Sequence, residues 1–245
     1  QEVQNLLSRI EDVYSQFCLQ IDSVDEVMKN KYSLDLTSKD GWGSNAPYYL
    51  EQYTKDNYLN LDIPNFKNIG YWFKPRTILL MALIKSEINK IENEDIRNFV
   101  FAAFSETIRF VSNRRNGEFK MFRMPSNKVE TFKPDVISEF STILNRNVVK
   151  MNDFVETCSE RDCKSEVLIH KNNATSLEDV PDKSIDLVVT SPPYGDSRTT
   201  VAYGEYSRLS LQWLDLFELT DKEIMGIDKS LMGGSKFRNG FEYTV

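Results

Sequence analysis

From Glu2 onward, apolar side chains recur every three or four residues. Val3, Leu6, Leu7, Ile10, Val13, Tyr14, Phe17 and Ile21 form one stripe at the helical period. The spacing predicts an amphipathic helix with a polar back. Between Lys29 and Gly70 the period is lost. GWGSNAPYYLEQYTKDNY, rich in Gly, Asn, Pro and Tyr, reads as loops and short turns. Periodicity returns at Pro75, a residue suited to a first helical turn, and RTILLMALIKSEINKI is expected to be helical. A further helix opens on Glu94 and Asp95, acidic residues favoured at a helix N-terminus, and runs through IRNFVFAAFSETIRFVS to about Asn116-Gly117. After Pro134 a long helix is expected over DVISEFSTILNRNVVKMNDFVETCSE.

Two short apolar runs then depart from the helical period. Val167 to His170 reads as a strand, and the polar Lys171-Asn172-Asn173 follows its end. Ile185 to Thr190 is nearly all apolar, as expected for a strand buried on both faces of a parallel sheet. Helix, strand, loop, strand is the rhythm of an open α/β sheet. Ligands of such sheets bind at the carboxyl ends of the strands, where Asn173 and Ser191 fall. A helix over GEYSRLSLQWLDLFEL follows, and MGGSKFRNGFEYTV reads as loop. There is no internal repeat and no low-complexity segment.

Composition adds limits. The 245 residues are 40% hydrophobic and 12% aromatic, ample for a core, and they carry a net charge of −7. Bulk charge therefore does not coat a nucleic acid; any such contact must be local. One segment is locally basic. Arg109, Arg114, Arg115, Lys120, Arg123, Lys128 and Lys133 face only Glu118 and Glu130, and Phe119, Phe122 and Phe132 are interleaved. Two readings are open: a solvated loop anchored by its aromatics, or a surface for backbone phosphates. Cys18, Cys158 and Cys163 are odd in number and lack framework spacing, which points to reduced thiols in a cytoplasmic protein. With His170 they match no common structural metal site, so no metal is expected. The apolar run Ile78 to Ile84 is too short to span a bilayer, and no signal-peptide pattern opens the chain, so no membrane association is expected.

The sharpest feature is DLVVTSPPYGDSRT, Asp186 to Thr199. Two consecutive prolines fix φ twice and remove two N–H donors while leaving their carbonyls as acceptors. Ser191 adds a hydroxyl and Tyr194 a ring. A stiff acceptor loop beside an aromatic face suits an exocyclic amine on a flat base. Hydrogen bonds from the amine to oriented carbonyls draw its lone pair out of conjugation and restore nucleophilicity. Displacement on a positioned methyl sulfonium then needs no covalent enzyme intermediate, and proximity supplies much of the rate. At average composition a tetrapeptide of this kind arises on the order of once in a thousand chains this long.

Thr190 to Gly195, TSPPYG after an apolar run, resembles the catalytic motif of the AdoMet-dependent amino-methyltransferases of DNA, commonly (Asp/Asn/Ser)-Pro-Pro-(Tyr/Phe/Trp). SPPYGDSRTTVAYGEYSRLSLQWL and GYWFKPRTILLMAL…DIRNFVFAAFSETIRFVS also look like bacterial restriction–modification methylases, so the resemblance reaches from about Asn68 to Leu216. It implies AdoMet as cofactor, double-stranded DNA as substrate, a bacterial cytoplasmic setting and a cognate restriction endonuclease as a companion. By position it makes Ser191, Pro192, Pro193 and Tyr194 catalytic: Ser191 and the Pro192 carbonyl hold the amine, and Tyr194 stacks on a base flipped out of the duplex. The Ser form is typical of N4-cytosine enzymes, though some N6-adenine enzymes have it. Asn173 and Thr190 take the cofactor side. Asn173 stands where the family often has an acidic residue, and a turn role is an equal alternative. Arg109, Arg114, Arg115, Lys120, Arg123 and Arg198 are candidate DNA contacts; Arg198 either meets a phosphate or pairs with Asp196. C5-cytosine chemistry is set aside, because neither Cys158 nor Cys163 has a proline neighbour.

The family's Phe-x-Gly-x-Gly turn and the acidic residue for the ribose are not found; Gly233-Gly234 follows the motif and reads as loop. The expectation is therefore an α/β fold: part of a Rossmann-like methyltransferase sheet, incomplete in this chain, with a large mainly helical insertion. Residues 1–35 would supply a core helix, 36–133 the insertion with its DNA-contacting region, and 134–245 the methyltransferase core with the catalytic motif. On this view the glycine-rich strand lies upstream of Gln1. Two alternatives stay open. One is a catalytically incomplete DNA-binding piece completed by a second polypeptide; the other is an RNA or protein amino-methyltransferase.

Overall fold

The computed structural model describes residues 1–66, 68–117, 121–161, 165–170, 177–190 and 203–215. The regular elements among them are helices: α1 (Glu2–Asn30), a π-helical turn (Lys39–Gly43), α2 (Ser44–Asp56), α3 (Ile69–Trp72), α4 (Pro75–Asn89), α5 (Glu94–Val111), α6 (Ser126–Thr131), α7 (Val136–Glu160) and α8 (Tyr203–Leu214).

The centre is α4, whose sequence is apolar almost all round, as a fully enclosed helix requires. Every residue from Ile78 to Ile84 is buried. Each large aliphatic so enclosed contributes roughly 1.5–3 kcal/mol over the exposed state. Helix α1 packs along α4, and α5 and α7 close further sides; α8 lies on α5. One buried charge of α4 is held by two ion pairs. Glu87, with a side chain 3% exposed, faces Arg9 Nε of α1 at 3.5 Å and Lys90 Nζ at 2.6 Å. Removing one partner would strand a buried carboxylate.

The helix ends follow their sequence signals. Asn93 accepts from Ile96 N at 3.0 Å and Asp135 from Ser138 N at 3.2 Å, capping α5 and α7. Pro75 occupies the first turn of α4. Helix α1 runs nine residues past Ile21 because its buried stripe continues through Val24 and Met28. Helix α5 stops at Val111, short of Asn116-Gly117. Ser112 turns extended, and Asn113 N donates to Trp72 O at 2.7 Å instead of to the helix.

Two expectations are corrected. The stretch from Lys29 to Gly70 is not mainly loop. Ser38 Oγ accepts from Gly41 N at 3.0 Å to start the π-helical turn, and α2 follows directly. Pro47 falls in the first turn of α2, where it forfeits at most one amide hydrogen bond. Leu50 and Tyr53 of α2 are buried, and Trp42 donates to Phe73 O at 2.9 Å. Gly70 permits the approach of α3: a Cβ there would lie 2.6 Å from both Ala46 Cβ and Trp42 O.

The second correction concerns fold class. Among the described residues there is no strand and no sheet, so the Rossmann-like sheet is not seen and the architecture is all-helical. Val167 to His170 and Ile185 to Thr190 have no regular structure. Their apolar side chains are exposed, Ile169 at 93% and Val189 at 86%. A strand is stabilised only by a neighbour that accepts its ladder of hydrogen bonds and covers its faces, and no described segment does either. Among the described residues the β-type pairing is the isolated antiparallel bridge between Arg114 and Arg123. A single buried cluster runs from Leu6 to Trp213, drawing residues from 1–35, 36–133 and 134–245 alike.

Candidate functional site

Ser191, Pro192, Pro193, Tyr194, Asn173, Lys120 and Arg198 lie outside the described residues. Thr190 is described and exposed. What the structure describes is the basic segment after α5, and α8, which begins nine residues after Tyr194 in sequence.

The basic segment is stitched to the helical body rather than loose. Arg115 N donates to Phe122 O at 2.8 Å and Met124 N to Asn113 O at 2.8 Å, pairing its two flanks. Asn113 Nδ2 and Arg123 Nε donate to Tyr71 O at 3.3 and 2.7 Å, fixing those flanks to α3. Ser112, Asn113 and Arg114 are buried as a result.

The arginines divide accordingly. Arg109 and Arg114 both lie over the ring of Tyr206 on α8, with guanidinium carbons 4.4 and 4.9 Å from the centroid. Arg109 also donates to Asn116 O at 3.1 Å, and Arg114 Nη1 to Tyr206 O at 3.4 Å. Arg123 lies 4.5 Å over the Tyr71 ring, and burial works against its charge. Arg115 is exposed, as are Lys128 and Lys133, and Phe122 is 47% exposed. The geometry thus brings Arg109 and Arg114 together on one tyrosine and leaves Arg115 facing solvent.

Helix α8 is held at three levels of one face. Tyr206 meets the two arginines. Ser210 Oγ donates to Ser105 O of α5 at 2.9 Å. Trp213, fully buried, meets Phe66, Phe73 and Phe104 edge-on at 6.5, 5.6 and 6.1 Å. Sequence reading missed Tyr206, Ser210, Trp213 and Tyr71 as partners. Positions 206, 210 and 213 are spaced as one helical face, which was the available signal.

A cleft of about 990 Å³ lies elsewhere, between α1, residues 34–37, the start of α4 and residues 130–141. Several of its charged groups are engaged by side chains or backbone. Arg76 Nε meets Asp22 at 2.8 Å, and Tyr14 donates to the same carboxylate at 2.8 Å. Asp25 accepts from Arg76 N at 2.9 Å, and burial raises its carboxyl above the usual aspartate value. Lys74 Nζ donates to Glu130 O and Phe132 O at 2.8 and 2.7 Å, and burial holds its ammonium below the usual lysine value. No cluster of three or more potential metal ligands occurs among the described residues. Cys18 Sγ donates to Ser15 O at 3.5 Å within α1. No described helix is long and apolar enough to cross a membrane.

Comparison with known proteins gives one informative similarity. The chain is 42% identical over 189 residues to the type II methyltransferase M.MvaI of Kocuria varians. The match covers 76% of this chain and 42% of the relative, so the chain spans less than half the length of the protein it matches. No family model matches, and no solved structure matches. The chain is a relative of the type II methyltransferases of restriction–modification systems.

Proposed function

We propose that the chain is part of a site-specific DNA methyltransferase that moves a methyl group from AdoMet to the exocyclic amine of a flipped base, N4 of cytosine in preference to N6 of adenine. The observation that carries this reading is the 42% identity to a type II methyltransferase over 189 residues. The motif Ser191-Pro192-Pro193-Tyr194 supports it by its chemistry. Ser191 and the Pro192 carbonyl accept hydrogen bonds from the amine, and Tyr194 stacks on the base. The serine form supports cytosine over adenine.

Phosphate contact is assigned first to Arg115, the described arginine of the basic segment with an exposed side chain, and Lys120 and Arg198 remain candidates from sequence. Arg109, Arg114 and Arg123 are drawn toward tyrosine rings. AdoMet supplies the methyl group when bound. The described residues do not form a cradle for it, since Thr190 and the preceding Leu187 to Val189 are exposed. The working setting would be a bacterial cytoplasm, with a cognate endonuclease as companion.

One observation favours a second reading, in which a complementary polypeptide completes the enzyme. Val167 to Ile169 and Leu187 to Val189 expose apolar side chains by more than two-thirds. Incubation with tritiated AdoMet and varied duplexes tests the first reading, by label in the bases. A requirement for an added second polypeptide before any label appears would establish the second.

A further inference from the structure

The paired flanks of the basic segment reverse the usual inside and outside. Arg114 and Arg123 stand opposite each other in the antiparallel bridge, and both turn toward the helical body. Arg114 is 2% exposed and lies over Tyr206. Arg123 lies over Tyr71 and donates to its carbonyl. Met121, two residues before Arg123, also packs against the core. Successive side chains of an extended flank point to opposite faces. Arg115 and Phe122, joined by the 2.8 Å bond from Arg115 N to Phe122 O, therefore turn outward together. Arg115 is exposed, and Phe122 is 47% exposed.

Folding alone disfavours this arrangement. A register shifted by one residue in the second flank would bury the Phe122 ring and release the Arg123 guanidinium to water. That exchange would gain apolar burial and remove a desolvation penalty. The observed register is pinned against it. Asn113 N donates to Trp72 O, Met124 N to Asn113 O, and both Asn113 Nδ2 and Arg123 Nε to Tyr71 O. A departure from the ordinary pattern held this firmly points to a contact outside the chain. The chemistry of the face names that contact. A guanidinium and a flat ring presented side by side match a phosphate and a base. The segment is locally basic in a chain of net charge −7, which favours a polyanion over a protein as its partner.

We propose that Phe122 is a DNA-contacting residue whose ring stacks on an unstacked base, while Arg115 beside it meets the adjoining phosphate. This rests on reading the chain as part of a DNA methyltransferase. A base that leaves the duplex uncovers the faces of its neighbours, and an apolar ring on a fixed support can enter there. The basic segment then contributes a base contact as well as charge.

The test uses the full-length protein with Phe122→Ala, Phe122→Leu and Phe122→Tyr, on a duplex that accepts label from tritiated AdoMet. Fluorescence anisotropy across a salt series gives the Kd and its salt slope. Urea denaturation and sedimentation velocity follow fold and assembly. Phe122→Ala is expected to weaken the Kd about tenfold, within the range for losing one stacked base. The salt slope, the urea midpoint and the sedimentation coefficient should not change. Phe122→Tyr, which keeps a ring, should bind as the unsubstituted protein does. Phe122→Leu, apolar but without a flat face, should resemble Phe122→Ala. Full affinity in Phe122→Ala or Phe122→Leu overturns the proposal. So does a lowered urea midpoint in Phe122→Ala, which would assign the ring to the core. A changed sedimentation coefficient with unchanged DNA affinity overturns it as well, by assigning the ring to a contact between chains. If no duplex accepts label, the methyltransferase reading falls and takes this one with it. A duplex that accepts label and binds Phe122→Ala as tightly as the unsubstituted protein removes the stacking role alone.

Discussion

The Arg114 guanidinium lies 4.9 Å from the ring centroid of Tyr206, and its Nη1 donates to the Tyr206 carbonyl at 3.4 Å, across 92 residues of sequence. This contact joins the end of α5 to the helix that follows the Ser-Pro-Pro-Tyr segment. Cation–π contacts of this kind contribute roughly 0.5–2 kcal/mol each, more as water is excluded. Around it the fold is a helical body centred on α4, and its stability and surface chemistry can be probed separately.

Trp213 is the main apolar anchor of α8. Its ring is fully buried among Phe66, Phe73 and Phe104. Trp213→Ala should cost about 3–5 kcal/mol, the range for deleting a large core aromatic. Urea denaturation followed by circular dichroism measures it. A loss under about 1 kcal/mol would mean that α8 is not packed as described.

Gly70→Ala should destabilise through overpacking, by about 1–3 kcal/mol, because the new Cβ would lie 2.6 Å from Ala46 Cβ and Trp42 O. Gly117→Ala is the matched control, with no atom within 4 Å of its Cβ position. The same denaturation experiment on both variants separates close approach from the general effect of replacing glycine.

Burial raises the Asp25 carboxyl above its usual value, so the folded protein holds that proton more tightly than the unfolded chain. Stability from this group is therefore present below the unfolded carboxylate value, about pH 4, and is lost as pH rises through the folded one. Asp25→Asn should be the more stable form at pH 7, with the Arg76 N–H still able to donate to its side-chain oxygen. The difference should close as pH falls below about 4. Stability curves of both proteins against pH check the sign. A wild type that is more stable at pH 7 would show that Lys74, Lys29 and Arg76 outweigh burial.

How much of this was legible from sequence depended on range. Helices α1, α4, α5 and α7 were readable because the signals are local: the Leu6–Ile10 stripe, Pro75, the acidic opening of α5, and Asp135 before Val136. Helix α2 was not, because Gly41 and Gly43 precede it and Pro47 falls within it; only the packing of Leu50 and Tyr53 overrides that local reading. The runs 167–170 and 185–190 carry a strand composition, but a sheet is a property of pairs, and composition does not supply the partner. The basic segment was legible as charge. That Arg109 and Arg114 spend that charge on Tyr206 follows from the geometry of α5 and α8, which no local pattern encodes.

Arg115 is the described arginine of the basic segment that faces solvent. Arg115→Ala should weaken binding to all duplexes about equally and reduce the salt slope by about one, as expected for one lost phosphate contact. Fluorescence anisotropy across a salt series measures it. A change confined to one DNA sequence would instead assign Arg115 to base recognition.

The central claim is methyl transfer to an exocyclic base amine at the Ser191–Tyr194 segment. The most direct measurement is transfer of tritium from labelled AdoMet to duplex DNA by the full-length protein, followed by hydrolysis and chromatography of the bases, with Tyr194→Ala alongside. The account predicts label in N4-methylcytosine, and its loss by about a hundredfold or more in Tyr194→Ala, whose base-stacking ring is gone. Label at cytosine C5, label in RNA but not DNA, or undiminished transfer by Tyr194→Ala would contradict it.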